Sequence, residues 1–196
     1  MDQMSREKTR RLVGTAIFTV LIVILQLLGA FIRFGPFSIS LVAMPIVIGS
    51  AVYGVGAGAW LGLVFGAAVL LSGDASAFLV FSPLGTVITV LIKGVCCGLA
   101  AGAVYVLFEK KSATAAAVIS SIVCPVVNTG VFLLGCLVFF MPLLREWSMN
   151  MGFGENTGAY MILGLVGGNF LAELVLDILL CPIILRLIRY GKKDKK

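Results

Sequence analysis

The sequence predicts an all-α membrane protein: a compact bundle of six transmembrane helices, both termini cytoplasmic, forming a single integral-membrane domain over residues 1–196. Three observations carry that prediction. Hydrophobic residues make up 60% of the 196 and charged residues 12%, with a mean hydropathy of +1.12. A water-soluble globule of this size could not bury so much apolar surface, and a disordered chain would be far more polar. The apolar residues fall into six stretches with punctuation between them, and the basic residues cluster in alternate gaps.

The stretches run approximately Leu12–Phe31, Ile39–Tyr53, Val55–Leu71, Leu84–Phe108, Ala115–Met141 and Tyr160–Leu187. A bilayer core of about 30 Å needs about 20 helical residues. The first, fourth, fifth and sixth meet that comfortably. The second, with about 15 residues, would reach only about 22 Å, and it is separated from the third at Tyr53-Gly54-Val55-Gly56. The first span follows basic residues, as a signal peptide does, but it is too long for such a segment and ends without a small-x-small cleavage site, which predicts an uncleaved helix.

Charge sets the orientation. Arg6, Lys8, Arg10 and Arg11 precede the first span, Lys110 and Lys111 separate the fourth and fifth, and Arg186, Arg189, Lys192, Lys193, Lys195 and Lys196 end or follow the sixth. Six spans put all of these on one side and leave Arg33 and Arg145 on the other. The positive-inside rule makes the crowded side cytoplasmic, with basic tails at 1–11 and 189–196 flanking a bundle at 12–188 in the plasma membrane. The formal charge of +6 then reports topology and attraction to anionic lipid. The basic residues are juxtamembrane and lack interleaved aromatics, so nucleic acid is not an expected partner.

Several function classes fall away. The chain has no histidine, which removes imidazole-dependent nucleophile pairs and His-ligated metals. It has no P-loop, hence no ATPase of its own. Cys96, Cys97, Cys124, Cys136 and Cys181 lie in apolar runs without a C-x-x-C spacing, as free thiols packed like small hydrophobes do. No catalytic residue, metal or cofactor is expected.

Glycines recur every four residues at Gly54, Gly58, Gly62 and Gly66, and again at Gly94, Gly98 and Gly102. Such ladders let helices approach closely in lipid, either inside the bundle or against a partner subunit. Outside the spans, Arg33 to Ser40 alternates apolar and polar residues after Pro36, as an extended segment over the outer mouth would. Ser72 to Ser76 is a turn cluster. Pro142 to Gly158 is the longest exterior loop, and its Trp147 is either an interfacial belt residue or part of a lid.

Ionisable residues inside a membrane are costly and mark functional sites by default. Lys93 sits near the middle of the fourth span. Asn169, Glu173 and Asp177 are spaced i, i+4, i+8 and share one stripe of the sixth, and Asn128 lies at similar depth on the fifth. Two readings fit: an ion pair from Lys93 to Glu173 or Asp177 that locks two helices, or a polar pocket lined by Lys93, Asn128, Asn169 and Glu173.

With these residues in view, the chain resembles the substrate-binding S component of an energy-coupling factor (ECF) vitamin transporter. The resemblance covers essentially the whole chain. It is carried by Phe37-Ser-Ile-Ser-Leu-Val-Ala-Met-Pro45, Tyr53-Gly-Val-Gly-Ala-Gly-Ala-Trp-Leu-Gly62, Pro83-Leu-Gly-Thr86, Cys124-Pro-Val-Val-Asn-Thr-Gly-Val-Phe132 and Asn169-Phe-Leu-Ala-Glu173. It implies a six-helix bundle that captures a water-soluble vitamin or related micronutrient from outside, of riboflavin, pantothenate or thiamine-precursor type. Its implied partners are a membrane coupling (T) subunit and two cytoplasmic ABC ATPases, with the S component toppling to release cargo. The implied substrate site is in the outer half, at positions matching Lys93, Asn128, Asn169, Glu173, Trp147, Ser38 and Ser40. The implied docking face is an A-x-x-x-A pattern on the first helix. Here that stretch reads Gly14-Thr-Ala-Ile-Phe-Thr-Val20, with Thr15 and Thr19, or Ala16 and Val20, four apart, so Thr15, Ala16 and Thr19 are the docking candidates.

Two other functions compete. A self-sufficient transporter would use the Lys, Glu and Asp groups as an ion path. An intramembrane enzyme acting on lipid would use Glu173 and Asp177 as acids, but needs a positioned nucleophile or metal that the sequence does not offer.

Overall fold

The computed structural model of the chain describes residues 3–30, 33–34, 37–38 and 41–193. Helix α1 (Gln3–Gly29) is followed by two short strands, β1 (Arg33–Phe34) and β2 (Phe37–Ser38), paired antiparallel with Arg33 opposite Ser38. The bundle continues through α2 (Ala43–Tyr53), α3 (Val55–Ser72), the short α4 (Ser76–Phe81), α5 (Pro83–Glu109) and α6 (Ala113–Gly135). A wide π-type turn at Cys136–Phe140 leads into α7 (Met141–Asn150); α8 (Thr157–Ala159) and a second such stretch, Tyr160–Gly167, lead into α9 (Gly168–Lys193).

Four of these helical runs are long and apolar enough to cross a membrane: Glu7–Gly29, Val55–Ser72, Pro83–Glu109 and Ala113–Asn150. The predicted helical membrane bundle is therefore present. The second predicted span is shorter than expected. α2 has 11 residues, roughly 16 Å of helix, and every residue from Pro45 to Val52 is buried. It is apolar because it sits inside the protein. The final run, from Tyr160 to Lys193, carries Glu173 and Asp177.

The predicted break between the second and third spans is real. Gly54 adopts φ +94°, a left-handed conformation that costs glycine nothing, and it separates α2 from α3. Other boundaries move. The basic segments predicted as tails are helical, within α1 from Gln3 and within α9 to Lys193. The exterior loop predicted from Pro142 is helical to Asn150, because Pro142 falls in the first turn of α7, where its missing N–H is no loss.

The glycine ladders turn out to face each other. A Cβ built at Gly62 would run into the carbonyl oxygen of Gly94, and one at Gly98 into that of Gly58. At Gly66 it would lie 2.7 Å from the carbonyl oxygen of Val90. The seam between α3 and α5 is thus backbone against backbone, and the ladders are internal packing surfaces rather than a partner's docking strip. At the terminal end, Lys192 pairs with Glu109 and its ammonium lies 4.6 Å from the centre of the Tyr105 ring. Arg10 Nη2 donates to the Gly191 carbonyl at 3.5 Å, so the beginning of α1 and the end of α9 lie together.

Gly62→Leu is expected to prevent recovery of a monodisperse protein or to lower its thermal midpoint sharply, since overpacking costs about 1–3 kcal/mol and here the obstacle is backbone. Gly56→Ala, on the same helix but with nothing within 4 Å, should leave the midpoint unchanged or raise it, because alanine is the better helix former. Size-exclusion profiles and thermal unfolding of the two variants check the contrast.

Candidate functional site

A cavity of about 90 Å³ opens among α1, α3, α5, α6 and α9. Lys93, Asn128, Asn169 and Glu173 all line it. The structure therefore brings together, from three helices, the four polar groups that the sequence placed near the midplane. On α5 the lining positions Thr86, Thr89 and Lys93 recur at helical spacing, so one stripe of that helix faces the cavity.

Lys93 has aromatic neighbours. Its ammonium lies over two rings, 5.3 Å from the centre of Phe65 and 5.6 Å from that of Phe132. Ring faces attract a cation through their quadrupole, which holds the charge without consuming its three hydrogen-bond donors. Glu173, 8% exposed, accepts a hydrogen bond from Asn169 Nδ2 at 3.4 Å, along the stripe predicted for these residues. Asp177, the third member, is 2% exposed; it lies one turn further, outside the cavity lining, with Oδ2 buried and unpartnered.

Two polar residues that sequence reasoning passed over belong here. Gln26 of α1, 2% exposed, lines the cavity beside Asp74. Its Nε2 donates to Asp74 Oδ2 and to Ser72 Oγ. Ser72 Oγ in turn donates to Asp74 at 3.2 Å. The available signal was a lone amide inside an apolar run, the same signal that drew attention to Asn128. Asp74 was read as part of a turn, and Gly73 at φ +81° makes that turn; the fold then swings the carboxylate back over the cavity.

The amide ends of two side chains are fixed by this arrangement. A carboxylate only accepts hydrogen bonds, so Asp74 and Glu173 hold the NH₂ ends of Gln26 and Asn169. The opposite atoms, Gln26 Oε1 and Asn169 Oδ1, are buried with no partner among the described residues, as are Asn128 Oδ1 and Thr89 Oγ1. Buried acceptors are normally satisfied. Four such polar atoms surround this one cavity.

The remaining wall is aromatic. Phe78 is its hub, contacting Phe132, Phe140 and Trp147 edge-on at 5.6, 4.9 and 5.5 Å between ring centres. Trp147, on α7, does not line the cavity; it backs Phe78, which does. Of the two exterior serines, Ser38 is placed by backbone pairing in β2, and Ser40 lies outside the described residues. On α1, Ala16 is exposed while Thr15 and Thr19 are half-buried. Thr19 is already engaged: its Oγ1 donates to the Thr15 carbonyl at 3.0 Å and accepts from the Trp60 indole at 3.1 Å.

Comparison with known proteins adds one match. A family model described as ECF transporter, substrate-specific component, matches residues 10–185. No curated protein matches the chain.

Asn128→Leu deletes a buried acceptor, Oδ1, that has no partner among the described residues. Leaving such a group unmade costs about 1–3 kcal/mol, so the ligand-free thermal midpoint is expected to hold or rise. A clear fall would mean that Asn128 serves the fold.

Proposed function

The chain belongs to the substrate-specific components of ECF transporters, and on that premise we propose that it captures a water-soluble vitamin or related micronutrient, of riboflavin, pantothenate or thiamine-precursor type, from outside the cell. Members of this family are subunits of a transporter, not enzymes. The captured molecule passes to a membrane coupling subunit driven by two cytoplasmic ABC ATPases. The observation that carries the reading is the convergence of Lys93, Asn128, Asn169 and Glu173 on one cavity. In this reading these residues hold the substrate, Trp147 steadies the aromatic wall behind it, and Ser38 and Ser40 belong to the segment over its mouth.

The topology that goes with this is six passes in the plasma membrane with both termini cytoplasmic. The clustered cations of the tails and of the α5–α6 connection support that orientation, and the contact between Arg10 and the Gly191 carbonyl supports a shared side for the two ends. α2 then crosses as a short helix wrapped by its neighbours, with no need to match the bilayer by its own length. The cavity reaches from Lys93 towards the opposite end, where Gln26 and Asp74 lie, as a site loaded from outside requires.

Thr15, Ala16 and Thr19 form the proposed docking face for the coupling subunit. Ala16 is its centre, because it is the exposed small residue, whereas Thr19 is committed to Trp60. A second reading, a self-sufficient transporter, draws on Asp177, which continues the Asn169–Glu173 stripe beyond the cavity as a proton path would. ATP-dependent uptake by the reconstituted complex, against uptake by the chain alone under an ion gradient, decides between them.

Lys93→Ala is expected to weaken substrate binding at least tenfold while the protein still purifies as a monodisperse bundle, since a charge-assisted hydrogen bond contributes about 1.5–3 kcal/mol and about 1.4 kcal/mol is tenfold. Unchanged affinity by calorimetry would reduce Lys93 to a packing cation. Ala16→Leu should leave binding intact yet stop uptake by the reconstituted complex, because the extra bulk holds a partner helix away. Normal pull-down of the coupling subunit together with normal uptake would remove Ala16 from the docking face.

A further inference from the structure

If the cavity is the capture site, its wall also specifies the chemical class of the cargo. Size comes first. At about 10–15 Å³ for each water-sized group, a cavity of about 90 Å³ holds roughly six to nine such groups. That matches one substituted ring better than a fused tricycle or a long branched chain. Shape comes second. Phe65, Phe78, Phe132 and Phe140 all face this space, and aromatic walls favour offset or edge-on contact with another flat ring.

Hydrogen-bond polarity comes third and is the most specific. Gln26 and Asn169 spend their NH₂ ends on Asp74 and Glu173, leaving two buried carbonyl oxygens, Oε1 and Oδ1, without partners. Both are acceptors, so the matching atoms on a ligand are N–H donors. Lys93 is the reverse: a donor-only group, held by two ring faces, that asks for an acceptor oxygen. A buried polar group left unpaired is heavily penalised, so this pattern rejects analogues lacking the donors far more strongly than it rejects small changes in apolar bulk.

The geometry points to a single-ring nitrogen heterocycle as the cargo, one that presents ring or amino N–H donors to Gln26 and Asn169 and a carbonyl or carboxylate oxygen to Lys93, with its faces between phenylalanine rings. This rests on the capture reading and narrows it.

The test is calorimetric titration of the full-length protein in detergent, accompanied by mass spectrometry of whatever solute co-purifies. The probes are three single-ring heterocycles (cytosine, uracil-6-carboxylate and nicotinamide), benzoate as a ring of similar size without donors, pantothenate as a flexible acid, and riboflavin as a tricycle. At least one of the three heterocycles is expected to bind ten times more tightly than benzoate, pantothenate or riboflavin. Asn169→Leu is expected to reduce that affinity at least tenfold, and Asn128→Leu, which disturbs no bond within the chain, provides a second acceptor deletion should the first fail to fold. Tightest binding by pantothenate or riboflavin overturns the inference, as does heterocycle binding indifferent to both substitutions. If none of the probes binds, a co-purified one-ring nitrogen heterocycle supports it and any other solute, or none, overturns it. ATP-dependent uptake keeps the two levels apart: a tricyclic or aliphatic solute imported with ATP leaves capture standing and removes only the ring assignment, whereas retention and import of nothing removes both.

Discussion

Everything in this bundle is arranged around the backbone contact between α3 and α5. Glycines at 58, 62 and 66 meet the chain at 98, 94 and 90 so closely that no Cβ fits between them. In lipid there is little hydrophobic drive to press one apolar helix on another, so close van der Waals fit must supply the attraction. Two helices in such register become one rigid wall. Lys93 precedes Gly94 directly, so the residue that meets α3 fixes where the ammonium lies. Phe65 precedes Gly66 on the facing helix, and its ring comes under that ammonium. The seam and the cation share an origin.

Electrostatics then follows from what surrounds the wall. A lysine in a membrane protein usually needs a carboxylate or water; here two ring faces also hold it. Asp74 and Glu173 each grip the NH₂ end of an amide and so present its carbonyl oxygen. The cavity displays a cation donor and amide acceptors beside the carboxylates of Asp74 and Glu173, which line it too. A surface of that kind discriminates by hydrogen-bond polarity as well as by charge.

Much of this was legible in the sequence. The membrane class, the helix break at Gly54, the four midplane polar residues and the family resemblance all follow from local composition and spacing, which survive folding unchanged. Helical periodicity alone placed Asn169, Glu173 and Asp177 on one stripe. What could not be read was set by long-range contact. α2 looked like a weak span because burial among neighbours and exposure to lipid select the same apolar residues. Gln26 and Asp74 lie far apart in sequence and meet across the mouth of the cavity. The aromatic neighbours of Lys93 were also hidden, since depth alone does not reveal which rings of other helices a lysine meets. The glycine ladders showed close packing but not what packs against them, and only the facing register of α3 and α5 settles that.

The central claim is that this cavity captures a small solute on behalf of a separate ATP-driven machine. Native mass spectrometry of the wild-type chain released from membranes tests it most directly. The account predicts one small polar molecule retained per chain in the absence of nucleotide. A chain that is always bare, and that in liposomes accumulates solute under an ion gradient alone, would contradict it.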